Sequence, residues 1–339
     1  MSYHEWHLVR RPDGAPVDED FALVPTKRPA VDDDDVLVRN TFLSLDPYMR
    51  GRMNDTKSYV PPFGLGEPMV GGAVGVVEEV GGTVLDGSGK RVEVGATVLH
   101  DQGWRTHAVL PGRRLRVLDT TAVPAQAWLG VLGMTGLTAY AGLLRVAQFQ
   151  RGDAVFVSAA AGSVGSLVGQ IARLKGASLV VGSAGGPAKA QWLLDDLGFD
   201  RAIDYKTVPV GRGLREAAPD GIDVYFDNVG GDHLEAAITS LRLRGRVAVC
   251  GMISRYNDTG AAPGPKNLAL FIGKRLTMTG FLVNDHADLR EQFEDEVGGW
   301  VREGKVVWRE TAVEGIEEAV HGFQSMLAGG NVGKMLVRI

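Results

Sequence analysis

The segment Val155-Phe156-Val157-Ser158-Ala159-Ala160-Ala161-Gly162-Ser163-Val164-Gly165 constrains the fold more than any other stretch of this chain. Residues suited to a strand give way to small residues, and these to a run with a regular apolar face. A strand over Ala154–Ala159 is therefore expected to turn directly into a helix over Gly162–Lys175. Small residues let the backbone approach a pyrophosphate, whose charge sits favourably on the helix N-terminus. Ala160 occupies the first position of the usual G-x-G-x-x-G, so the pattern here is A-x-G-x-x-G. Such turns also occur in sheets that bind nothing. The strand before this one and the helix after it point to a dinucleotide.

More strands are expected at Ser178–Gly182, Asp223–Asn228 and Arg246–Gly251, with helices over Ala127–Leu144, Pro187–Leu197, Gly231–Leu241 and Asp288–Glu303. Strand and helix in alternation predict a parallel sheet with crossover helices. The first third reads differently. Val36–Asn40, Gly72–Val80, Ala96–Leu99 and His107–Leu110 are short Val- and Leu-rich runs bounded by Gly, Pro and Asp, the pattern of a barrel-like β domain. A last strand is expected at Lys334–Ile339. The acidic run Asp32–Asp35 reads as a solvated turn before a strand, not as a metal site.

Length and composition agree with two globular domains: 339 residues, 45% hydrophobic and 23% charged. The formal charge of −5 offers no broad basic face, so no nucleic-acid partner is expected. A single cysteine, Cys250, excludes an intrachain disulfide and a zinc lobe held by four thiolates. The seven histidines form no H-E-x-x-H, and no G-x-S-x-G elbow suggests a hydrolase. No metal site is expected. The N-terminal residues lack the apolar core of a signal peptide, and no run reaches the roughly 18–20 apolar residues of a membrane span. A soluble, cytoplasmic protein with no membrane partner is the expectation.

The cofactor choice turns on the end of the second parallel strand. A site for NAD usually carries Asp or Glu about 20 residues beyond the turn, to accept from the ribose 2′-OH. Here the strand ends Val180-Val181-Gly182-Ser183-Ala184-Gly185-Gly186, with no carboxylate. That absence, with Lys189 beyond it and Tyr205 in Ile203-Asp204-Tyr205-Lys206, favours NADPH. The plainer alternative leaves Lys189 a solvated residue of the next helix. Without metal or thiol chemistry, hydride transfer to a polarised enone remains. It needs a donor near the oxygen on which enolate charge develops. Asp227–Gly231 and Gly251–Asn257 sit where such groups belong, at carboxyl ends of strands. Tyr256 is the candidate donor; the alternative is an aromatic packed on the loop rim. Cys250 reads as a packed residue expected to touch the cofactor.

At these residues the chain resembles the zinc-independent medium-chain dehydrogenase/reductase superfamily. Within it the likeness is to the leukotriene B4 dehydrogenase, prostaglandin reductase and 2-alkenal (curcumin) reductase branch. The motifs that carry it run in order: Leu45–Met53, Gly133–Tyr140, Ala159–Gly165, Leu197–Asp200, Tyr225–Gly231, Gly251–Asn257 and Asn331–Lys334. The resemblance implies an α/β protein, a GroES-like β-barrel domain plus a Rossmann doubly wound parallel-sheet domain. It also implies NADPH-dependent reduction of an α,β-unsaturated carbonyl double bond.

The implied division is residues 1–125 for the first part of the GroES-like catalytic domain and 126–300 for the Rossmann domain, with 301–339 returning to the catalytic domain. Gly162, Ser163, Val164 and Gly165 would hold the pyrophosphate, and Lys189 and Tyr205 the 2′-phosphate. Asn228, the loop of Cys250, Gly251, Met252, Ile253, Ser254, Arg255 and Tyr256, the run Phe281, Leu282 and Val283, and Asn331 would line the ribose and nicotinamide. Tyr48 and Tyr256 would flank the substrate. Relatives of this kind commonly form homodimers through the Rossmann sheet. Arg255 and Asn284-Asp285-His286 depart from the family pattern at the implied substrate mouth, which leaves substrate size and polarity open. Two other functions stand beside the enone reductase: an NADPH-dependent quinone reductase, and an idle NADPH-binding scaffold.

Overall fold

The structure, a computed structural model, describes residues 3–261 and 263–339. The N-terminal third supplies β1 (Tyr3–Leu8), β2 (Phe21–Thr26), β3 (Asp35–Ser44), β4 (Glu67–Pro68), β5 (Ala73–Val80), β6 (Thr97–His100), β7 (His107–Pro111) and β8 (Arg116–Val117). One short helix, α1 (Tyr48–Arg52), follows β3. The strands called from Val- and Leu-rich runs are present, and β3 runs on to Ser44 because its inward side chains continue past Asn40. β1 and β2 escaped the sequence reading. Their residues are mostly half-buried, so no apolar alternation marks them.

The middle of the chain alternates strand and helix: β9 (Ala154–Val157), α3 (Ser163–Leu174), β10 (Leu179–Ala184), α4 (Pro187–Asp195), β11 (Arg201–Asp204), α5 (Val210–Ala217), β12 (Ile222–Asp227), α6 (Gly231–Ser240), β13 (Leu241–Val249), α7 (Leu270–Lys274), β14 (Thr277–Gly280) and α8 (Arg290–Arg302). Before β9, the single helix expected over Ala127–Leu144 is broken. A 3-10 turn at Ala125–Leu129 gives way to α2 (Met134–Ala141), which runs into one wider π turn, Gly142–Val146. Gly133 is extended at φ −100° and ψ −153° and restarts the helix. β13 begins at Leu241, earlier than the expected Arg246, and Ala159 leaves β9 for a left-handed turn at φ 48°.

These six strands form one parallel sheet in the order β11-β10-β9-β12-β13-β14. That order reverses between β9 and β12, the point at which doubly wound sheets bind ligands beyond the carboxyl ends of their strands. Phe156 and Tyr225 stack 5.1 Å apart beneath it, both fully buried.

After α8 the chain adds β15 (Glu310–Glu314), α9 (Ala319–Leu327) and β16 (Lys334–Arg338) to the first region. The barrel-like sheet runs β15-β16-β3-β5-β6-β8, with β7 also on β3, beside a small sheet β2-β1-β4. Its core gathers Leu43, Leu45, Met49, Trp104 and Phe323, and Trp104 meets Phe323 edge-on at 5.8 Å. Two compact units result, Met1–Leu129 with Glu310–Ile339, and Gly130–Arg309. A boundary at 300/301 would cut α8, whereas the division observed falls after that helix. Among the described residues no helix is long and apolar enough to cross a membrane.

Candidate active site

The glycine-rich turn joins β9 to α3 with an open helix start. Gly162 is the N-cap of the 12-residue α3, extended at ψ 174° and without a side-chain cap. The partial positive charge of that end suits an anion. Gly165 cannot be larger: a Cβ there would lie 2.5 Å from the Ala159 carbonyl oxygen. The alanine at the first motif position is accommodated from the neighbouring strand. A Cβ on Gly182 of β10 would come within 2.8 Å of the Ala160 methyl. The glycine the turn lacks has thus moved to its neighbour. The Ser163 hydroxyl lies 2.7 Å from that of Thr135, which donates to the Gly130 carbonyl at 3.0 Å. Thr135 has spent its proton on that carbonyl, so Ser163 donates to it.

At the end of β10, Gly185 and Gly186 turn the chain into α4, with Gly186 at φ 103°. Asp204 at the end of β11 fixes this turn, accepting from the Gly186 N–H at 2.8 Å and the Lys206 N–H at 3.1 Å. Those hydrogen bonds, the Gly186 one foremost, hold its carboxyl below the ordinary range. Tyr205 folds back so that its hydroxyl would lie 2.8 Å from a Cβ on Gly185, and its ring meets His233 edge-on at 5.3 Å. Lys189 stands in the first turn of α4; burial, then the charge of Lys206, lowers its pKa. The structure brings Lys189 and Tyr205 to one strand end and adds Lys206, which the sequence reading passed over.

The switch point itself is built on Asp227, which the sequence places in a segment at a strand end without a role of its own. Its Oδ1 accepts from the Tyr225 hydroxyl at 2.7 Å, the Gly230 N–H at 2.8 Å and the Val229 N–H at 2.9 Å. Its backbone oxygen accepts from Cys250 at 2.9 Å and Gly251 at 3.1 Å. One aspartate therefore ties the turn after β12 to the loop after β13. Asn228 donates from Nδ2 to the Ser158 carbonyl at 2.8 Å and from its backbone to the Ser158 hydroxyl at 2.9 Å. A carboxylate within Tyr225–Gly231, at the carboxyl end of a strand, was the available signal.

Burial pushes the Cys250 thiol up to about 12, with Asp227 adding, so it is held neutral. Beyond it, Ile253 and Ser254 donate to the Asn228 and Val229 carbonyls at 3.2 Å each. Ile253–Arg255 form a 3-10 turn, and the Tyr256 hydroxyl accepts from the Met252 N–H at 3.4 Å. Arg255 pairs with Asp258 at 3.3 Å. Phe281 packs edge-on to Phe226 at 6.3 Å, and Leu282 and Val283 follow it into a 3-10 segment.

The barrel-like unit holds the other two expected residues. Tyr48 opens α1, and its phenol is pushed above its ordinary range by burial first and by Asp46 second. Asp46 is itself buried and accepts from the Lys334 ammonium at 2.7 Å, which also donates to the Leu45 carbonyl at 2.7 Å. Asn331 donates to the Gly333 carbonyl at 2.7 Å. Among the described residues no three His, Cys, Asp or Glu side chains gather as a metal ion would need.

Two family signatures match the two units. "N-terminal domain of oxidoreductase" covers residues 4–118 and "Zinc-binding dehydrogenase" covers 163–297. Among the similar proteins is a putative NADP-dependent oxidoreductase of Bacillus subtilis, 43% identical over 100% of this chain and 98% of its own. The NADPH-dependent curcumin reductase of Escherichia coli is 40% identical over 98% of this chain and 96% of its own. The chain belongs to the zinc-independent medium-chain dehydrogenase/reductase superfamily. A solved structure agrees: CurA from Vibrio vulnificus in complex with NADPH superposes with a TM-score of 0.92 at 41% identity, covering 99% of this chain and 98% of that one. The medium-chain dehydrogenase/reductase plan combines a barrel-like unit and a Rossmann unit, the two units described above. The zinc in the second signature's description has no matching ligand cluster among the described residues.

Proposed function

We propose that this chain is an NADPH-dependent oxidoreductase that reduces the C=C bond of α,β-unsaturated aldehydes and ketones, with hydride arriving at the β-carbon and no metal taking part. The observation that carries the cofactor is the end of β10, where Lys189 and Tyr205 gather and no carboxylate of β10 opposes a 2′-phosphate. The residues fit the nucleotide: α3 begins uncapped, and Gly165 leaves no Cβ in the turn. Whole-length likeness to a protein named for curcumin reduction supports the enone as acceptor.

In this reading Gly162, Ser163, Val164 and Gly165 seat the pyrophosphate, Ser163 through its backbone because its hydroxyl is engaged with Thr135. Lys189 and Tyr205 meet the 2′-phosphate. Asn228, the loop from Cys250 to Tyr256, Phe281–Val283 and Asn331 meet the ribose and nicotinamide. Bound NADPH supplies the hydride. Tyr48 and Tyr256 contact the substrate, and Tyr256 is the catalytic residue that gives a proton as enolate charge develops. The Met252 N–H donating to its oxygen leaves the phenolic proton to point elsewhere. Neutral Cys250 contributes shape, not nucleophilicity.

NADPH consumption followed with a 2-alkenal, a cyclic enone and a quinone tests the reading. Oxidation by the first two supports it, oxidation by the quinone alone replaces it with a quinone reductase, and none at all leaves a scaffold. We further propose a cytoplasmic homodimer joined at β14, an edge strand whose four residues are all exposed beside Ile272, itself 83% exposed. Light scattering that gives a monomer at micromolar concentration would remove the dimer.

A further inference from the structure

Lys206 has no part in the function set out above, yet its backbone is held by Asp204 and its stem lies against Gly185. Asp204 pairs with Ala184 across the parallel ladder of β10 and β11, so the two strand ends are level. Its carboxylate then clamps the backbone of both segments, Gly186 on one side and Lys206 on the other. The consequence is seen at Gly185. A Cβ there would meet the Tyr205 hydroxyl at 2.8 Å and the Lys206 Cε at 3.1 Å, so both side chains fold over this turn. Lys189 stands in the first turn of α4, near enough for the Lys206 charge to act on it.

Two ammonium groups are thus held near each other, and the charge of Lys206 acts on Lys189. The Asp204 carboxylate is a counter-charge near Lys206. His233, edge-on to Tyr205, adds no charge at neutral pH, because burial lowers its pKa to about 4. A dianion seated between the lysines would turn their repulsion into two attractions.

We propose that Lys206 is a second, specificity-determining cation for the 2′-phosphate, acting with Lys189 across the Gly185–Gly186 turn. The inference rests on the NADPH reading and names a further residue of that site. It explains why position 185 is a glycine: any side chain there would displace the Tyr205 hydroxyl and the Lys206 stem together.

The test is direct titration of the full chain with NADPH and NADH, without any carbonyl substrate. Lys206→Ala should weaken NADPH about tenfold, the scale of one charge-assisted hydrogen bond, and NADH by less than about twofold. Lys206→Arg should recover most of the loss, and Lys189→Ala with Lys206→Ala should lose more than either alone. Unchanged NADPH affinity in Lys206→Ala, or equal losses for both nucleotides, overturns the proposal. A wild-type chain that binds both nucleotides equally overturns the NADPH reading along with it. If discrimination depends on Lys206 but enones are not reduced, the reductase reading fails and this inference stands.

Discussion

Tyr225 and Asp227, two residues apart on β12, share a 2.7 Å hydrogen bond in a fully buried place between the two halves of the parallel sheet. The phenol donates, so one oxygen of the aspartate accepts from four groups, the Ser158 hydroxyl included, while its other oxygen has no partner among the described atoms. Burial raises the Asp227 carboxyl, and the hydrogen bonds only partly offset it. The folded chain therefore holds this proton more tightly than the unfolded chain. Its contribution to stability is present at low pH and fades as pH rises through the folded value. Asp227→Asn keeps the shape and cannot titrate. Urea unfolding from pH 4 to pH 7 should show the wild type losing stability relative to Asp227→Asn; parallel profiles would refute it.

A second pH effect has the opposite sense. His100 in the barrel-like unit donates from Nε2 to Asn40 Oδ1 at 2.9 Å and accepts the Gln102 N–H at Nδ1, so both nitrogens are committed to the neutral ring. Burial lowers its pKa from 6.5 to about 4. The unfolded chain takes up the proton first, so stability present above pH 6.5 is lost as pH falls towards 4. The loss is about 3 kcal/mol. His100→Gln should flatten the acid limb of a Tm-against-pH curve, and an unaltered limb would place the acid sensitivity elsewhere.

Tyr256→Phe removes the proposed proton donor and the acceptor of the Met252 N–H. Turnover of an enone should fall about a hundredfold, the lower end for general acid catalysis. NADPH affinity should fall by far less than turnover, because the rest of the loop keeps its contacts with the nucleotide. Full activity in this variant would hand the proton to the ribose or to water.

The relocated glycine gives a structural test. Gly182→Ala forces a methyl against Ala160, Leu193 and Phe199, each at 2.8 Å, and should cost about 3 kcal/mol, the upper range for overpacking. Adding Ala160→Gly restores the common motif and frees one of the three contacts. The double variant should be more stable than Gly182→Ala alone in thermal unfolding. No recovery would show that Leu193 and Phe199 alone set the cost.

How much of this was legible can be argued from those residues. The turn at Gly162–Gly165, the missing acid after β10 and the pair Lys189 and Tyr205 stand in the sequence because each acts through its own chemistry. Asp227 and Lys206 do not. Asp227 matters through what lies opposite it, the Ser158 hydroxyl just after β9 and the loop after β13, and strand pairing is not written in one residue's neighbourhood. Lys206 resembles any surface lysine until the β10–β11 register brings Asp204 level with Ala184 and its carboxylate to the Gly186 N–H. The break at Gly130–Gly133 was misread for a related reason: apolar spacing continued through it while the backbone did not. Short, half-exposed strands such as β1 and β14 carry too little alternation to be seen alone.

The Lys334–Asp46 pair bears on the order in which the chain can be built. A ribosome delivers residues from the N-terminus, and domains generally fold as they emerge. Gly130–Arg309 is one continuous segment, so its parallel sheet can close during synthesis. The barrel-like sheet cannot. β3 waits for β16 along one edge, and the buried Asp46 carboxylate waits for an ammonium 288 positions later. Until then Leu43, Leu45 and Met49 lack the covering of α9 and β16. The nascent N-terminal third is thus the part that needs shielding from aggregation, although it is made first and folded last.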